Sequence, residues 1–311
     1  MTSTSHPHDL RTELESLTTE AFRPELAEID TLPTLHIARL MNGEDAGVAA
    51  AVAARLPEIA AAVDAIAERM AHGGRLVHAG AGTAGRLGVL DASECPPTFN
   101  TGPGQVVGLI AGGPDALVTS VEGAEDSREL AENDLRALGL TAGDTVVGVS
   151  ASGRTPYALG AVGYARSLGA LTVGLACNAG SALGAAAEHG IEVVVGPELL
   201  TGSTRLKAGT AQKLVLNMLS TITMIRLGKT YGNLMVDVRA SNDKLRARSR
   251  RIVALATGAP DDEIERALAA TDGEVKNAVL CVLAGVDGPT AARLLVESGG
   301  HLRAALAAAG G

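Results

Sequence analysis

Aromatic residues are the scarcest class in this sequence. Tryptophan is absent, and only three Tyr and two Phe occur among 311 residues. The interior must therefore be built from Ala, Val, Leu and Ile. A lectin-like site, in which a sugar lies against an aromatic face, needs side chains that this sequence has little of. If the protein binds a sugar, we expect hydrogen bonds and charge to hold it.

Basic residues are outnumbered, and cysteines are few. The 26 Lys and Arg against 35 Asp and Glu give a net charge of −9, which repels nucleic acids and anionic membranes. We therefore predict neither as a partner, and the basic run from Lys244 to Arg251 is predicted to be a solvated helix face. Cys95, Cys177 and Cys281 lack CxxC or Cys/His spacing, so no disulfide framework and no structural zinc site is expected.

Long hydrophobic runs are also missing, and none reaches the length of a membrane span. The polar start from Met1 to Leu10 lacks the apolar centre of a signal peptide, so we expect a cytoplasmic protein. A chain of 311 residues is long enough for one large domain or two of ordinary size.

What the sequence does contain is a regular alternation of strand and helix patterns. Short apolar runs occur at 75–79, 105–110, 145–149, 171–175 and 191–195. Helical patterns occur at 84–90, 127–138, 155–168, 181–189 and 204–227. Strands separated by helix-length segments are typical of βαβ units, so we predict an α/β fold with a parallel sheet covered by helices on both faces.

Three segments are predicted along the chain. Residues 1–45 are expected to form an N-terminal arm with short helices, residues 46–240 the parallel-sheet domain, and residues 241–311 a small all-helical domain. The Ala-rich stretch from Val48 to Met70 is predicted to be one helix, which ends at His72-Gly73-Gly74. After Asn242 only helical patterns remain, at 261–270, 275–283, 290–297 and 301–307.

Two junctions between a strand and a helix carry small and hydroxyl residues. The first reads GAGTAGR at 80–86 and the second SASGRT at 150–155. Backbone N–H groups and the helix dipole favour an anion at such a junction, and hydroxyls add donors. The two together predict a phosphate or phosphosugar site whose candidate contacts are Gly82, Thr83, Ser150, Ser152, Gly153 and Thr155. Ordinary helix capping and tight turns would require similar residues, and Arg86 and Arg154 are more often solvated than bound to phosphate.

The first junction also matches the GxGxxG pattern of dinucleotide-binding enzymes through Gly80, Gly82 and Gly85. That interpretation expects an acidic residue at the end of the next strand to bind a ribose hydroxyl. The strand at 105–110 instead runs into Ala111-Gly112-Gly113. A dinucleotide cofactor is therefore disfavoured.

Three further segments supply charged candidates. Glu94 follows the first helical pattern, where Pro96 and Pro97 predict an irregular loop. Glu125 precedes another helix, where a carboxylate could equally complement the helix dipole. Lys207 lies in TGSTRLKAGT at 201–210, near the start of a long helix, and is either a second anion contact or a solvated residue.

Five segments of the chain together resemble one enzyme family. They read GAGTAGRLGVLDASECPPT at 80–98, VEGAEDS at 121–127, ASGRTPY at 151–157, TGSTRLKAGTAQK at 201–213 and GNLMVD at 232–237. They closely resemble the N-acetylmuramic acid 6-phosphate etherases, and the similarity covers nearly the whole chain. It implies a sugar isomerase (SIS) domain, a homodimer, and conversion of the sugar phosphate and water into N-acetylglucosamine 6-phosphate and D-lactate, with no metal or nucleotide cofactor.

The resemblance also implies roles for two glutamates. Glu94 matches the catalytic acid of the family and Glu125 its second catalytic glutamate. The chain departs from the family pattern at Ala84, where a serine is usual, so one phosphate-binding hydroxyl is missing. Three other functions remain open: a non-catalytic phosphosugar sensor like glucokinase regulatory protein, which resembles the same family; an aldose–ketose phosphosugar isomerase; and, least favoured, a dinucleotide-dependent oxidoreductase.

Overall fold

The computed structural model of the chain describes residues 17–238 and 243–310. Its centre is a five-stranded parallel sheet in the order β2-β1-β3-β4-β5. The strands are β1 Leu76–Gly80, β2 Val106–Ile110, β3 Thr145–Ser150, β4 Leu171–Ala176 and β5 His189–Glu192. The predicted α/β fold with a parallel sheet is confirmed.

Helices alternate with these strands. The helices up to the last strand of the sheet are α1 Thr34–Asp45, α2 Val48–Ala53, α3 Leu56–Ala71, α4 Gly82–Phe99, α5 Arg128–Ala137, α6 Pro156–Ser167 and α7 Ala182–Ala186, and α8 Lys207–Arg226 follows. Three short 3₁₀ turns precede α1, in the region predicted to be an arm. The predicted arm also includes residues 1–16, which lie outside the described residues.

The sheet is covered on both faces. Strands β1, β3 and β4 are buried at every position, which is typical of a parallel sheet between two layers of helices. On one side Leu135 of α5 and Tyr157 of α6 pack against Val77 and Val146. Burial and a 2.6 Å hydrogen bond to Asp134 raise the pKa of the Tyr157 phenol far above its usual value.

An ion pair with a buried carboxylate joins the starts of two adjacent strands, β1 and β3. Asp144, directly before β3, accepts hydrogen bonds from the backbone N–H, Nε and Nη2 of Arg75, directly before β1, at 2.7–3.0 Å. The same carboxylate accepts from the backbone N–H and hydroxyl of Thr141. Because Arg75 also donates to the carbonyl oxygens of Leu138 and Gly139, the pair holds β1, β3 and the loop after α5 together.

A second buried polar group lies in the middle of β1. His78 is fully buried, and its Nε2 lies 3.1 Å from a carboxylate oxygen of Asp91 in α4. The other oxygen of Asp91 accepts from the side-chain amide of Asn217 in α8 at 2.6 Å. The three side chains link one strand to the two helices that begin beside the candidate site described below.

The predicted single helix from Val48 to Met70 is wrong. The structure has two helices there, α2 and α3, which are separated at Ala54 and Arg55. Pro57 explains the break, because it has no N–H to donate to the carbonyl of Ala53 and restricts the backbone of the residue before it.

The predicted irregular loop at Pro96 and Pro97 is also wrong. Both prolines lie inside α4, which continues to Phe99. The φ angle of proline fits a helix, so each proline removes one hydrogen bond without reversing the chain. The backbone N–H of Asn100 donates to the carbonyl oxygen of Pro96 at 2.9 Å, so helical hydrogen bonding continues after the prolines.

The chain divides into two compact units. The first holds the described residues up to Ser93 and from Val106 to Leu219, and the second holds Glu94–Gln105 and those from Ser220 onward. The predicted domain limits near residues 45 and 240 are not tested by this division and stay a prediction.

The second unit is mainly helical. Its elements after α8 are the hairpin β6 Thr230–Tyr231 and β7 Leu234–Met235, then α9 Asp243–Thr257, α10 Asp261–Ala270, α11 Val275–Ala284, α12 Gly288–Glu297 and α13 Leu302–Ala309. Val253, Ala278, Val279 and Leu280 are among the fully buried residues of its core. The basic run predicted to be a solvated helix face lies on α9, where its Lys and Arg side chains are exposed.

Within the described residues, no single helix has the length and apolar character needed to cross a membrane. Two bent helix pairs meet the same test by length and composition only: Thr34–Ala53 with Leu56–Ala71, and Val275–Ala284 with Gly288–Glu297.

Candidate active site

A cleft of about 580 Å³ lies in the first unit, where β1 and β3 end. The chain runs from β1 to β2 on one side of β1 and then crosses over to β3 on the other side. Ligands of α/β proteins bind where the strand order reverses in this way. The predicted site residues that line it are Gly82, Thr83, Glu125, Ser150, Ser152 and Thr155.

The loop after β3 forms a cluster of hydroxyls. Ser150 is buried, and its Oγ lies 2.7 Å from Oγ1 of Thr155 and 3.2 Å from Oγ of Ser152. The backbone N–H groups of Gly153 and Arg154 donate to Ser150 and Ser152 respectively. Gly153 has a φ of +70°, which favours glycine. The turn thereby places hydroxyls at the N-terminus of α6.

The loop after β1 brings the backbone close to the cleft. Gly82 has a φ of +53° at the first position of α4. A Cβ at Gly85 would lie 2.6 Å from the carbonyl oxygen of Gly80, so only glycine allows the strand and the helix to approach this closely. Thr83 follows with its hydroxyl in the first turn of α4, where free N–H groups attract an anion.

Acidic residues line part of the cleft. Glu125 and Asp126 are exposed and lie on a short 3₁₀ turn after Gly123, which has a φ of +73°. Glu20 also lines the cleft, and Arg154 is its one basic side chain among the described residues. The cleft thus combines hydroxyl and N–H donors at two helix starts with carboxylates that can exchange protons. The described residues contain no group of three or more His, Cys, Asp or Glu that could hold a metal ion.

Comparison with known proteins decides the family. An N-acetylmuramic acid 6-phosphate etherase of Streptomyces coelicolor is 86% identical over 309 residues, which is 99% of each chain. An enzyme of the same name from Rubrobacter xylanophilus is 60% identical over 293 residues, 94% of this chain and 97% of the relative. This chain belongs to the N-acetylmuramic acid 6-phosphate etherase family.

Domain models agree with that assignment. The model for the glucokinase regulatory protein N-terminal SIS domain matches residues 58–166, and the SIS domain model matches residues 128–222. Among solved structures, a phosphoheptose isomerase from Francisella tularensis aligns with a TM-score of 0.49 at 20% identity, over 62% of this chain and 100% of that one.

Glu94, the residue matching the acid of the etherase family, is not among the residues that line the cleft. It is exposed and belongs to the second unit. The sequence predicts an irregular loop here, after a short helix, but α4 continues through this position. Glu94 therefore stands twelve residues beyond Gly82 on one helix, about 18 Å along its axis.

Lys207 and Gly153 also lie outside the cleft lining. Lys207 is buried, and its ammonium nitrogen lies 2.5 Å from a carboxylate oxygen of Glu44 in α1. Glu44 also pairs with Arg23. Burial raises the pKa of Glu44, but hydrogen bonds from Lys207 and Arg23 outweigh that effect and leave the pKa lowered. Gly153 is buried within the loop after β3 and shapes it.

The lining residues that are not among the predicted site residues include Glu20, Thr204 and Gln212. Thr204 and Gln212 lie in a segment that carries the etherase resemblance, but nothing in their spacing marks them as site residues. Glu20 comes from the arm, where no local pattern signals function. Ala84, the departure from the family pattern, is buried and lines the cleft.

Proposed function

We propose that this chain cleaves the lactyl ether of N-acetylmuramic acid 6-phosphate with water, giving N-acetylglucosamine 6-phosphate and D-lactate. The observation that carries the proposal is the 86% identity, over 99% of both chains, to a protein named for this activity. The cleft supports it, because it offers phosphate donors and carboxylates side by side.

The phosphate is proposed to bind at the starts of α4 and α6. Thr83, Ser150, Ser152, Thr155 and nearby backbone N–H groups would be its donors. A hydrogen bond to a charged group is worth about 1.5–3 kcal/mol, so Ser152→Ala should weaken binding of N-acetylglucosamine 6-phosphate about ten- to hundredfold. Ser167→Ala, at the last position of α6, is the matched control. Unchanged affinity in Ser152→Ala would refute this contact.

The chemistry requires a base and an acid. In the open-chain sugar, carbon 2 is alpha to the aldehyde, and we propose that Glu125 removes its proton. The C3–O bond then breaks, and the departing lactate oxygen takes a proton from an acid, a role that we assign to Glu94 on the family resemblance alone, since Glu94 does not line this cleft. Water adds to the resulting C2–C3 double bond, with OH at carbon 3 and H at carbon 2, and this restores both glutamates. One glutamate must begin ionised and the other protonated.

The two glutamates are distinguished by solvent exchange. General acid or base help is worth about two to four orders of magnitude, so Glu94→Gln and Glu125→Gln should each lose at least about a hundredfold in turnover. Glu125→Gln should also stop exchange of the carbon 2 proton in deuterated water, whereas Glu94→Gln should retain it. Glu129→Gln, an exposed glutamate in the first turn of α5, should behave as the parent. Exchange lost only in Glu94→Gln would reverse the two roles.

The activity itself is tested by incubating the protein with N-acetylmuramic acid 6-phosphate and assaying D-lactate. The match to the glucokinase regulatory protein SIS domain favours a second candidate, a phosphosugar sensor without turnover. Tight binding of the sugar phosphate with no lactate release would select the sensor.

We further propose a cytoplasmic homodimer whose interface involves the N-terminal arm and helical segments. Charged sugar phosphates do not cross membranes unaided, which supports the location. A monomer in light scattering at micromolar concentration would refute the dimer. The domain limits near residues 45 and 240 are proposed as well, and limited proteolysis should cut near them.

A further inference from the structure

Gln212 is a buried polar residue of the cleft. It lies on α8 and lines the cleft, yet only 1% of its surface is exposed. Its side-chain Nε2 has no hydrogen-bond partner among the described residues. A buried donor without a partner destabilises a folded protein, and a ligand that binds beside such a group can satisfy it.

The geometry of α8 directs this amide toward the start of α4. Gly209 is three residues before Gln212 and therefore lies on the same side of the helix. A Cβ at Gly209 would lie 3.4 Å from the methyl group of Thr83, so the backbone of α8 passes close to Thr83. Side chains in a helix lean toward its N-terminus. The Gln212 side chain accordingly leans back over Gly209, which has no side chain to block it.

We propose that Gln212 donates a hydrogen bond from Nε2 to the phosphate group of the bound phosphosugar. This inference deepens the proposed function and rests on it. The phosphate is expected beside Thr83, and the side chain of Ala84, which also lines the cleft, has no hydrogen-bond donor. Gln212 supplies a neutral donor there from a different element of the fold.

The proposal predicts opposite effects on stability and on binding. Gln212→Met keeps the length of the side chain and removes its hydrogen-bonding groups. If Nε2 has no partner in the free protein, the variant should unfold at the same temperature or higher. If the amide meets phosphate, the dissociation constant for N-acetylglucosamine 6-phosphate should rise about ten- to hundredfold. A purely structural glutamine would instead lose stability on substitution.

Thr223→Val is the matched control. Thr223 is also fully buried on α8, and its hydroxyl also has no hydrogen-bond partner among the described residues, but it does not line the cleft. Removing this hydroxyl should leave both ligand binding and the unfolding temperature within error or raise the latter. The pair of variants separates the loss of an unpaired buried group from the loss of a ligand contact.

The experiment is calorimetric titration of the full chain with N-acetylglucosamine 6-phosphate and with inorganic phosphate, together with thermal unfolding without ligand. The proposal expects Gln212→Met to weaken both ligands by the same factor without a lower unfolding temperature. Unchanged affinity, a lower unfolding temperature, or weakening of the sugar phosphate alone would overturn it. Neither ligand is turned over, so a failure of the proposed etherase activity would appear separately, as absent lactate release.

Discussion

Replacing Asp144 by asparagine should destabilise the first unit in a pH-dependent way. The Asp144 side chain is 2% exposed. Burial alone would raise its pKa, but the hydrogen bonds from Arg75 and from the backbone N–H of Thr141 outweigh burial and lower the pKa from 3.8 to about 2. At 1.36 kcal/mol per pKa unit, this difference is worth about 2.4 kcal/mol of folding free energy at neutral pH. Asparagine keeps the shape and loses the charge, so it should forfeit about that amount.

The pH dependence follows from the sign of the shift. A carboxyl group whose pKa is lowered by folding stabilises the protein above the unfolded pKa, and this contribution falls as the pH drops toward the folded pKa. The full effect should therefore be present above about pH 5, about half should remain at pH 3, and little should remain at pH 2. The difference between the parent protein and Asp144→Asn should narrow over the same range.

The difference in the free energy of unfolding between the parent and Asp144→Asn is measured by urea unfolding. The signal is far-ultraviolet circular dichroism, because the chain has no Trp for fluorescence. Asp262→Asn serves as the control, because Asp262 is an exposed carboxylate paired with Arg266 on the surface of α10. Exposed pairs contribute little, so this variant should match the parent. A gap between the parent and Asp144→Asn that is absent at pH 7, or that stays constant down to pH 3, would refute the reasoning.

Two further substitutions probe the elements around the cleft. Gly153→Ala should destabilise the protein by about 1–3 kcal/mol from overpacking alone and weaken phosphosugar binding, because the residue has a φ of +70° and its new Cβ would overlap a neighbouring side chain. Gly163→Ala, on α6 with open space around it, should be neutral or stabilising, and equal unfolding temperatures for the two variants would contradict the argument. Asp91→Ala should remove the carboxylate that pairs with the buried His78 side chain, and a buried polar group that loses its partner costs about 1–3 kcal/mol. A melting temperature unchanged from that of the parent would show that Asp91 does not hold these elements together.

The two hydroxyl-rich loops are the part of the candidate site that local sequence predicts. The residues at 80–86 and 150–155 are contiguous, and each set follows an apolar run that ends in a helical pattern. Their prediction as a pair at one edge of the sheet needs only the rule that parallel strands end at the same side. Both loops line the same cleft in the structure.

The contacts of Lys207 are not predictable from local sequence. Its position near a helix start and beside hydroxyl residues favours an anion contact, yet its ammonium group pairs with Glu44, 163 residues away in the chain. No local pattern reveals a partner at that separation. The same limit applies to α4, whose prolines predict a loop by propensity, although the helix continues past them.

The sequence by itself determined the alternation of strands and helices, the parallel sheet and the two hydroxyl-rich loops, because each depends on backbone hydrogen bonding and burial over a few neighbouring residues. Tertiary structure alone decided which distant side chains complete the cleft and which are drawn away from it. The cleft is lined by the two loops and also by Glu20, Thr204 and Gln212. Lys207 does not line it, because its ammonium group forms an ion pair with Glu44 of α1. These contacts are made between side chains that are far apart in sequence. Which of them form is decided only when the helices pack together.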